Sequence, residues 1–518
     1  MKTSFKFLLP LLVGLILWFL PAPQGLSSNA WEYFAIFMAV ILGLILEPLP
    51  PPVCGLLGVG LIASLMLVPP TAPTMPQAKP AVTASAPAQA APPPPAATQA
   101  PPAAPAAPAP GTAPAKNTPT SQIKWALSGF ADPTVWLVFA AFIFAQGYEK
   151  TGLGRRIALL LLRLMGRSTL GLGYAVAMSD LCLAPFLPSN TARCGGTIYP
   201  IIRNIPPLFG STPDNDPRKI GSYLMWVALA STCVTSAAFL TSFAPNFLAV
   251  SLVQKIANID ISWTQWFLAM LPACAVLFLA TPYLIYRIYP PTQKSSPEAP
   301  VWAAKELAAL GPMSRGEMTM AVLAMCALLF WIFGGKLVNA TTVALVVVGL
   351  MIPFKVVTWD DLLGNKPAWN ILFWYGTLMA VADGLYKVGF LNWFCTNMAN
   401  AFSGFATVTM ILLLVTIFWY ASFFFASITA LTTALFPPFL MAAMLVPGLP
   451  LKMFILLMCG SLGLRGILTP YAVTPAIIIY GSGYIATSDH WRLGFIFSTL
   501  YLIVFLALGI PTMSMLFD

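Results

Sequence analysis

A short polar stretch interrupts a long apolar segment in the first half of the chain. Residues 170–205 are strongly apolar, yet Pro188 and the polar run at 189–193 stand in their middle. Lipid cannot hydrogen-bond a backbone, so a broken helix at membrane depth survives only where protein or a water-filled cavity covers it. The segment therefore predicts a hairpin of two half-helices, whose tip presents backbone N–H groups, hydroxyls and a partial positive dipole to a solute. This arrangement is typical of an anion site in a transporter.

The composition of the whole chain agrees with a membrane location. Of its 518 residues, 58% are hydrophobic and only 8% are charged, whereas soluble domains carry about 25% charged residues. The net charge of +10 comes from lysines and arginines scattered between apolar segments, so it indicates topology and argues against nucleic acid as a partner. A single histidine, His490, and eight cysteines without a Cys-x-x-Cys pattern argue against a metal site. No cofactor is expected.

The spacing of the apolar segments predicts an all-α polytopic membrane protein with about eleven transmembrane helices. The first segment resembles a signal peptide, but Pro21-Ala22-Pro23 is a poor cleavage site, so a retained span is preferred. The predicted spans are residues 1–20, 31–47, 53–68, 133–149, 221–254, 264–288, 318–334, 337–354, 368–386, 452–481 and 491–511. Hairpins are predicted at 170–205 and 406–446, and helices along the membrane surface at 152–166 and 390–402.

Residues 69–121 differ from the rest of the chain in composition. They are dominated by proline, alanine and threonine, including Pro92 to Pro95, and such a tract cannot build a core. It predicts an extended, disordered linker.

Three short motifs recur in the same order in the second half of the chain. The recurrence indicates an internal duplication, with the Pro/Ala tract as an insertion in the first copy. Each copy then holds five spans and a hairpin, and an odd number of spans inverts the second copy in the membrane. The pairs are Gly147-x-x-Lys150-x-Gly152 with Gly384-x-x-Lys387-x-Gly389, Ser189-x-Thr191-Ala192 with Ser427-x-Thr429-Ala430, and Thr241-x-Phe243-Ala244 with Thr469-x-Tyr471-Ala472.

The distribution of positive charge predicts the orientation of the spans. With a cytoplasmic N-terminus, seventeen lysines and arginines fall on cytoplasmic segments and seven on the opposite side. This bias follows the positive-inside rule. It places residues 69–121 and the C-terminus outside the cytoplasm.

Two arginines remain at membrane depth, Arg193 and Arg465, each beside an interruption. A charge at the membrane centre costs at least about 2.5 kcal/mol on insertion scales, so both are candidates to offset the charge of a bound anion. The alternative is structural: Arg193 would pair with Asp180, and Arg465 would bind a carbonyl at a helix end. We expect Asp180 to be the structural partner of Arg193 and not a binding site for a cation or a proton. The sequence assigns no role to Asp383.

Three motifs carry a family resemblance. PSNTARCGG at 188–196, SITALTTALFPPF at 427–439 and TPYAVTPAIIIYGSGY at 469–484 resemble the divalent anion/sodium symporter family. They are similar above all to its exchanger branch, which holds bacterial citrate/succinate and tartrate/succinate antiporters and plastid 2-oxoglutarate/malate translocators. The resemblance covers nearly the whole chain except the Pro/Ala tract.

The resemblance implies a homodimer in a bacterial inner membrane, in which a transport domain slides like an elevator against a scaffold domain. Substrate carboxylates would bind at both hairpin tips, closed by the two interrupted helices. The implied division is scaffold helices at 1–68, the extracytoplasmic linker at 69–121, a scaffold helix and surface helix at 122–166, the first transport half at 167–288, scaffold helices of the second repeat at 289–404, and the second transport half at 405–518.

The resemblance also implies a set of site residues. Arg193 and Arg465 would compensate charge. In place of a second Ser-Asn-Thr, the second tip has Ile428, which has no side-chain oxygen, so a second sodium site is doubtful; a histidine common in the exchanger branch is replaced by Leu431. The substrate-binding residues would be Ser189, Asn190, Thr191, Thr241, Ser242, Ser427, Thr429, Thr469, Pro470 and Thr474.

The functional expectation is sodium-independent exchange of C4–C6 di- and tricarboxylates such as succinate, malate, 2-oxoglutarate and citrate. The alternative is a sodium-coupled symporter of dicarboxylates or sulfate, and sodium is expected only under that alternative. An enzyme is not supported, because no His, Cys or acidic cluster lies at the motifs.

Overall fold

The computed structural model describes residues 3–46, 48–69, 117–334, 337–390, 393–394, 407–425, 427–444, 446 and 448–517. Within these ranges the regular elements are helices. Most of the predicted linker at 69–121 and most of the predicted surface helix at 390–402 lie outside the described residues.

The helices follow one another along the whole described chain. They are α1 (Thr3–Phe19), α2 (Ser28–Leu46), α3 (Pro51–Ser64), α4 (Pro119–Ser128), α5 (Pro133–Thr151), α6 (Leu153–Met165), α7 (Thr169–Leu183), α8 (Tyr199–Ile202), α9 (Gly221–Ala238), α10 (Ala244–Ala257), α11 (Trp263–Ile288), α12 (Glu298–Leu310), α13 (Arg315–Phe333), α14 (Ala340–Met351), α15 (Trp359–Gly364), α16 (Lys366–Lys387), α17 (Thr407–Tyr420), α18 (Ile428–Met444), α19 (Leu451–Leu464), α20 (Thr474–Gly481) and α21 (Thr487–Phe517).

The same order of elements occurs in both halves of the chain. In the first half, α7, a broken stretch and a π-helix at Thr191–Ile198 precede the interrupted pair α9–α10 and the long helix α11. In the second half, α17 and α18 precede the interrupted pair α19–α20 and the long helix α21. The predicted hairpins and interruptions are thus present.

The interrupted helices α9 and α19 form the centre of the fold. All 18 residues of α9 are buried, and so are the residues of α19 from Met453 to Leu464. A helix that is apolar on all sides is stable only when other elements surround it. By contrast α1, α3, α13 and α21 leave large apolar side chains exposed, among them Leu8, Leu57, Val322 and Ile503. Such faces need a lipid environment.

Four helices of the described chain are long and apolar enough to cross a membrane by themselves. They are Trp263–Ile288, Arg315–Phe333, Thr407–Phe424 and Thr487–Phe517, and the pair Pro119–Ala131 and Pro133–Thr151, bent by 45°, can form a fifth. Other apolar helices are shorter than a full span, as expected where spans are interrupted. The total of about eleven spans stays a prediction.

Helices α10 and α18 from the predicted transport halves pack against α2 and α16 from the predicted scaffold. Apolar side chains, among them Ile41, Leu252 and Leu378, line a small gap there. A polar contact also crosses this boundary, in which the Tyr375 hydroxyl donates to Ser251 Oγ at 2.8 Å. The contact between these helices is therefore mainly apolar.

The segment between α11 and α13 contains a helix, α12, at residues 298–310. Alanine, leucine, glutamate and lysine dominate this stretch and all favour helices. Arg155 of α6 binds Glu306 of α12 at 2.8 Å, so a salt bridge joins α12 to α6.

A salt bridge between Lys150 of α5 and Asp361 of α15 gives a pH-dependent stability. The Lys150 ammonium, and then the Thr358 hydroxyl and N–H, lower the pKa of the Asp361 carboxyl from 3.8 to about 2. Because the pKa is lower in the folded state, this contribution is present above about pH 4 and is lost as the pH falls toward 2.

We therefore expect Asp361→Asn to lower the melting temperature in detergent most at neutral pH. The deficit relative to the wild type should shrink as the pH falls below about 4. The exposed neighbour Asp360 supplies the control, since Asp360→Asn should have little effect. If the melting temperature of Asp361→Asn stayed below that of the wild type by the same amount across this pH range, the Lys150–Asp361 salt bridge would not be the source of the pH-dependent stability.

Candidate functional site

The first tip, residues 188–191, lies against the break between α9 and α10. The Ala244 N–H donates to the Pro188 carbonyl at 2.8 Å. Ser189 Oγ accepts the Ala192 N–H at 3.2 Å and begins the π-helix that follows. Asn190 is buried, while Ser189 and Thr191 are half-buried. π-Helices are rare and frequently occur at functional sites.

Arg193, in the first turn of the π-helix, is fully buried and paired. Its Nε lies 3.3 Å from Asp180 Oδ1, and its Nη1 donates to the carbonyls of Leu187 (at 2.6 Å) and Ser242. Its Nη2 donates to Ser236 Oγ at 3.1 Å. This is the structural pairing with Asp180 that the sequence offered as an alternative. Arg193 therefore fastens the hairpin to the break in α9–α10, and charge compensation by Arg193 stays a prediction.

Thr241 and Ser242, two predicted substrate ligands in this first break, are both engaged within the protein. Thr241 Oγ1 donates to the Pro185 carbonyl at 2.6 Å, and Ser242 Oγ donates to the Phe239 carbonyl at 2.7 Å. Their hydroxyl protons are therefore already used. A substrate that accepted a hydrogen bond from either hydroxyl would have to displace one of these carbonyls.

The second tip, residues 427–429, has the same local pattern as the first. Ser427 Oγ accepts the Ala430 N–H at 3.4 Å, matching the bond that Ser189 accepts from Ala192. Ser427 and Thr429 are half-buried. Both tips therefore open a helix with a serine whose hydroxyl caps it, and both leave polar side chains partly accessible.

The second break, residues 465–473, contains the remaining predicted ligands. Thr469 is fully buried, and its Oγ1 has no hydrogen-bond partner within the described part of the chain. Pro470 is buried, and Thr474 is exposed at the start of α20. The Tyr471 hydroxyl donates to the Phe423 carbonyl at 3.0 Å, which connects this break to the short 3-10 helix after α17.

The side chain of Arg465, at the end of α19, is fully buried and makes one hydrogen bond to the described residues. Its Nη1 donates to the Phe418 carbonyl at 2.7 Å, and its guanidinium carbon lies 4.1 Å from the centre of the Phe418 ring. Nε and Nη2 have no hydrogen-bond partner among the residues that the structure describes. The carbonyl of Phe418 is among the last of α17, so this contact is the helix-end bond that the sequence offered as an alternative.

The two halves of the site meet through close helix packing. A Cβ on Gly463 of α19 would lie 2.5 Å from the backbone nitrogen of Ala237 in α9. A Cβ on Gly195 in the π-helix would lie 2.5 Å from Ile478 Cδ1 in α20. The first tip is therefore joined to the first break, the second break to the end of α17, and the interrupted helices to each other.

Several contacts of the site were not found from the sequence. Thr232 and Thr235 donate to the Asp180 carboxylate, Ser236 accepts from Arg193, and the Phe418 ring covers Arg465. The sequence did contain a signal for Thr232, Thr235 and Ser236, because these three positions share one face of a largely apolar helix. No sequence signal identified Phe418.

A family model described as "Sodium:sulfate symporter transmembrane region" matches residues 1–517. The chain belongs to this family. The resemblance to the divalent anion/sodium symporters is confirmed, and because the family consists of membrane transporters, so is the prediction that the chain is not an enzyme. This symporter-family protein is therefore a multi-pass membrane transporter.

Two relatives of this symporter-family protein match along nearly their whole length. A protein of Escherichia coli (strain K12) named L-tartrate/succinate antiporter is 44% identical over 509 residues, covering 98% of this chain and 97% of the relative. A protein of Shigella flexneri with the same name is 44% identical over the same shares of both chains.

The fold has a solved counterpart. The crystal structure of the Alcanivorax borkumensis YdaH transporter, described as revealing an unusual topology, aligns with a TM-score of 0.52. It covers 76% of this chain and 86% of the solved chain, at 15% sequence identity. At that identity the likeness shows the shared fold alone.

Proposed function

We propose that this protein exchanges dicarboxylates across a bacterial inner membrane. The observation that carries the proposal is the 44% identity, over 98% of the chain, to proteins named L-tartrate/succinate antiporter. C4 dicarboxylates such as succinate and tartrate are the first candidates, and malate follows from the same chemistry. 2-Oxoglutarate, which is longer, and citrate, which is a tricarboxylate, are further candidate substrates.

The two tips support an anion site built from neutral donors. Ser189, Thr191, Ser427 and Thr429 are half-buried hydroxyls beside the first turns of two helices. Helix N-termini favour negative charge, and hydroxyls bind carboxylates without forming a tight ion pair. A dicarboxylate would place one carboxylate at each tip and still be released on the other side of the membrane.

An elevator movement explains how such a site would reach both sides. Helices α10 and α18 face α2 and α16 with mainly apolar side chains, and such a surface allows sliding at little cost. The two transport halves, 167–288 and 405–518, would move together, while 1–68, 122–166 and 289–404 would stay fixed in a homodimer. The N-terminus would be cytoplasmic, and residues 69–121 and the C-terminus would lie on the other side.

Counterflow in proteoliposomes tests the proposed function. Vesicles loaded with succinate or tartrate should accumulate labelled succinate without sodium, and empty vesicles should not. Uptake that requires external sodium and proceeds without internal substrate would instead assign the protein as a sodium-coupled symporter.

Removing one hydroxyl from either tip should weaken transport strongly. We expect Thr191→Ala and Ser427→Ala each to reduce dicarboxylate exchange about 10- to 100-fold at low substrate, because a hydrogen bond to a charged group contributes about 1.5–3 kcal/mol. Expression should stay near the wild-type level in both variants. The melting temperature should change little in Thr191→Ala and fall modestly in Ser427→Ala, because Ser427 also caps a helix.

Thr512→Ala serves as the matched control, since Thr512 donates only to the Leu508 carbonyl within α21 in the described structure. It should exchange at the wild-type rate. If both tip variants also exchange at that rate, the tips do not bind the substrate.

A further inference from the structure

Polar contacts join the C-terminal part of α10 to helices of the proposed scaffold. The Tyr375 hydroxyl of α16 donates to Ser251 Oγ at 2.8 Å. One turn further along α10, Lys255 Nζ lies 3.6 Å from Oδ2 of Asp132, the residue before α5. The Lys255 and Asp132 side chains are 26% and 10% exposed, so water and salt screen this pair less than a fully exposed one.

The second repeat cannot form the same contacts. At the spacing that separates the two helix breaks, Ile479 takes the position of Ser251. Gly483 takes the position of Lys255. Because the repeats are inverted, the opposite-facing state arises when the two repeats exchange conformations. Contacts that only the first repeat can form therefore stabilise one of the two states.

The two ends of α5 indicate which state this is. At one end, Asp132 lies against Lys255 of α10. At the other end, Tyr148 and Glu149 line a cavity of about 570 Å³ between α6 and α12 on one side and the π-helix and α8 on the other. Glu149 and Asn204 in its lining are exposed, so the cavity opens to solvent. Helix α5 is the fourth predicted span, so with a cytoplasmic N-terminus the cavity opens to the cytoplasm.

We infer that the Asp132–Lys255 salt bridge and the hydrogen bond at Ser251 form a latch that holds the carrier in its cytoplasm-facing state. The inference rests on the proposed function and its elevator movement. When the transport halves move outward, α10 slides along α5 and α16, and both contacts break. The second repeat supplies no replacement for them. The latch therefore shifts the carrier toward the cytoplasm and weakens its apparent affinity for external substrate.

Asp132→Asn and Lys255→Gln test the latch, since each removes one of its two charges. Asparagine caps a helix as well as aspartate does, so Asp132→Asn keeps an acceptor for the Thr134 N–H at the start of α5. Lys255→Arg keeps the charge and should behave like the wild type. Lys124→Gln is the matched control, because Lys124 is exposed and forms no ion pair within the described residues.

The state of the carrier is measured on purified protein, as the rate at which a maleimide modifies the thiol introduced by Asn204→Cys in the cavity. Mass spectrometry separates this site from the native cysteines. The rate should fall about twofold in Asp132→Asn and in Lys255→Gln, because the cavity closes when the repeats exchange conformations. The double variant should fall no further than the larger single change, since the two residues act as a pair. Unchanged rates in both single variants would overturn the inference.

Transport gives a second measurement that a purely structural contact would not affect. In intact cells, the KM for external succinate should fall about two- to threefold in Lys255→Gln. In inverted membrane vesicles, the KM for succinate on the cytoplasmic face should rise about twofold in the same variant. A lower melting temperature with both KM values unchanged, shifts of both values in one direction, or the two shifts reversed would overturn the inference.

The wild type separates the latch from the proposed function. If the wild-type protein exchanges no dicarboxylate, the proposed function fails, whereas the maleimide rates on purified protein still decide whether the latch exists.

Discussion

Asp180→Leu should destabilise the protein by about 3–5 kcal/mol, the largest loss we expect from a single substitution. The change leaves the Arg193 guanidinium fully buried without a counter-charge. It also removes the acceptor of the Thr232 and Thr235 hydroxyls. Thermal melting in detergent and the yield of folded protein measure the effect, and both should fall sharply.

The control is a salt bridge of the same type at the surface. Arg155 and Glu306 lie 2.8 Å apart, but their side chains are 53% and 30% exposed. Exposed pairs contribute about 0–1 kcal/mol, so Glu306→Gln should change the melting temperature little. The double variant Asp180→Leu/Arg193→Met removes both charges and should recover part of the lost stability. A single Asp180→Leu variant as stable as the wild type would mean that Arg193 is not held by this pair.

The local interruptions of the helices could be predicted from the sequence because their causes are local. Pro188 and the polar residues after it cannot continue a buried helix, and the chain breaks there. The recurrence of this pattern 238 residues later predicted the second hairpin, and α18 begins at Ile428, directly after Ser427 of the recurring motif. Proline, glycine and short polar side chains act on their own neighbours, so no knowledge of the fold is needed.

The pairing of the two buried arginines could not be decided in the same way. Arg193 and Arg465 look alike in sequence, since each is a lone cation beside an interruption. Their difference depends on tertiary contacts: α9 brings Thr232, Thr235 and Ser236 to the Arg193–Asp180 pair, whereas α17 brings the carbonyl and ring of Phe418 to Arg465. Tertiary packing therefore decides which of the two arginines is neutralised by a carboxylate.

Gly463→Ala should separate the two interrupted helices at the centre of the fold. Its Cβ would lie 2.5 Å from the Ala237 nitrogen and 2.7 Å from the Ser236 carbonyl carbon, both backbone atoms that cannot rotate away. Overpacking of this kind costs about 1–3 kcal/mol, against which alanine gains at most about 1 kcal/mol of helix propensity. The melting temperature should therefore fall.

The displacement should impair transport beyond the loss of stability. Ser236 is pushed by the new methyl group, and it also accepts from Arg193 Nη2 and, through its carbonyl, from Asn246 Nδ2 at 2.8 Å. Moving Ser236 therefore shifts the first tip relative to the break that supports it. Exchange per folded molecule, measured in proteoliposomes, should be lower than in the wild type at saturating substrate.

Gly481→Ala is the matched control within the same half. Gly481 is the last residue of α20, is exposed, and an added Cβ would meet no atom within 4 Å. The substitution should leave exchange unchanged and stability equal or slightly higher, since alanine favours the helix. If Gly463→Ala behaved like Gly481→Ala, α9 and α19 could move apart without cost. The two breaks would then not be held together by close contact, and the site would have to be held in place by the hairpins alone.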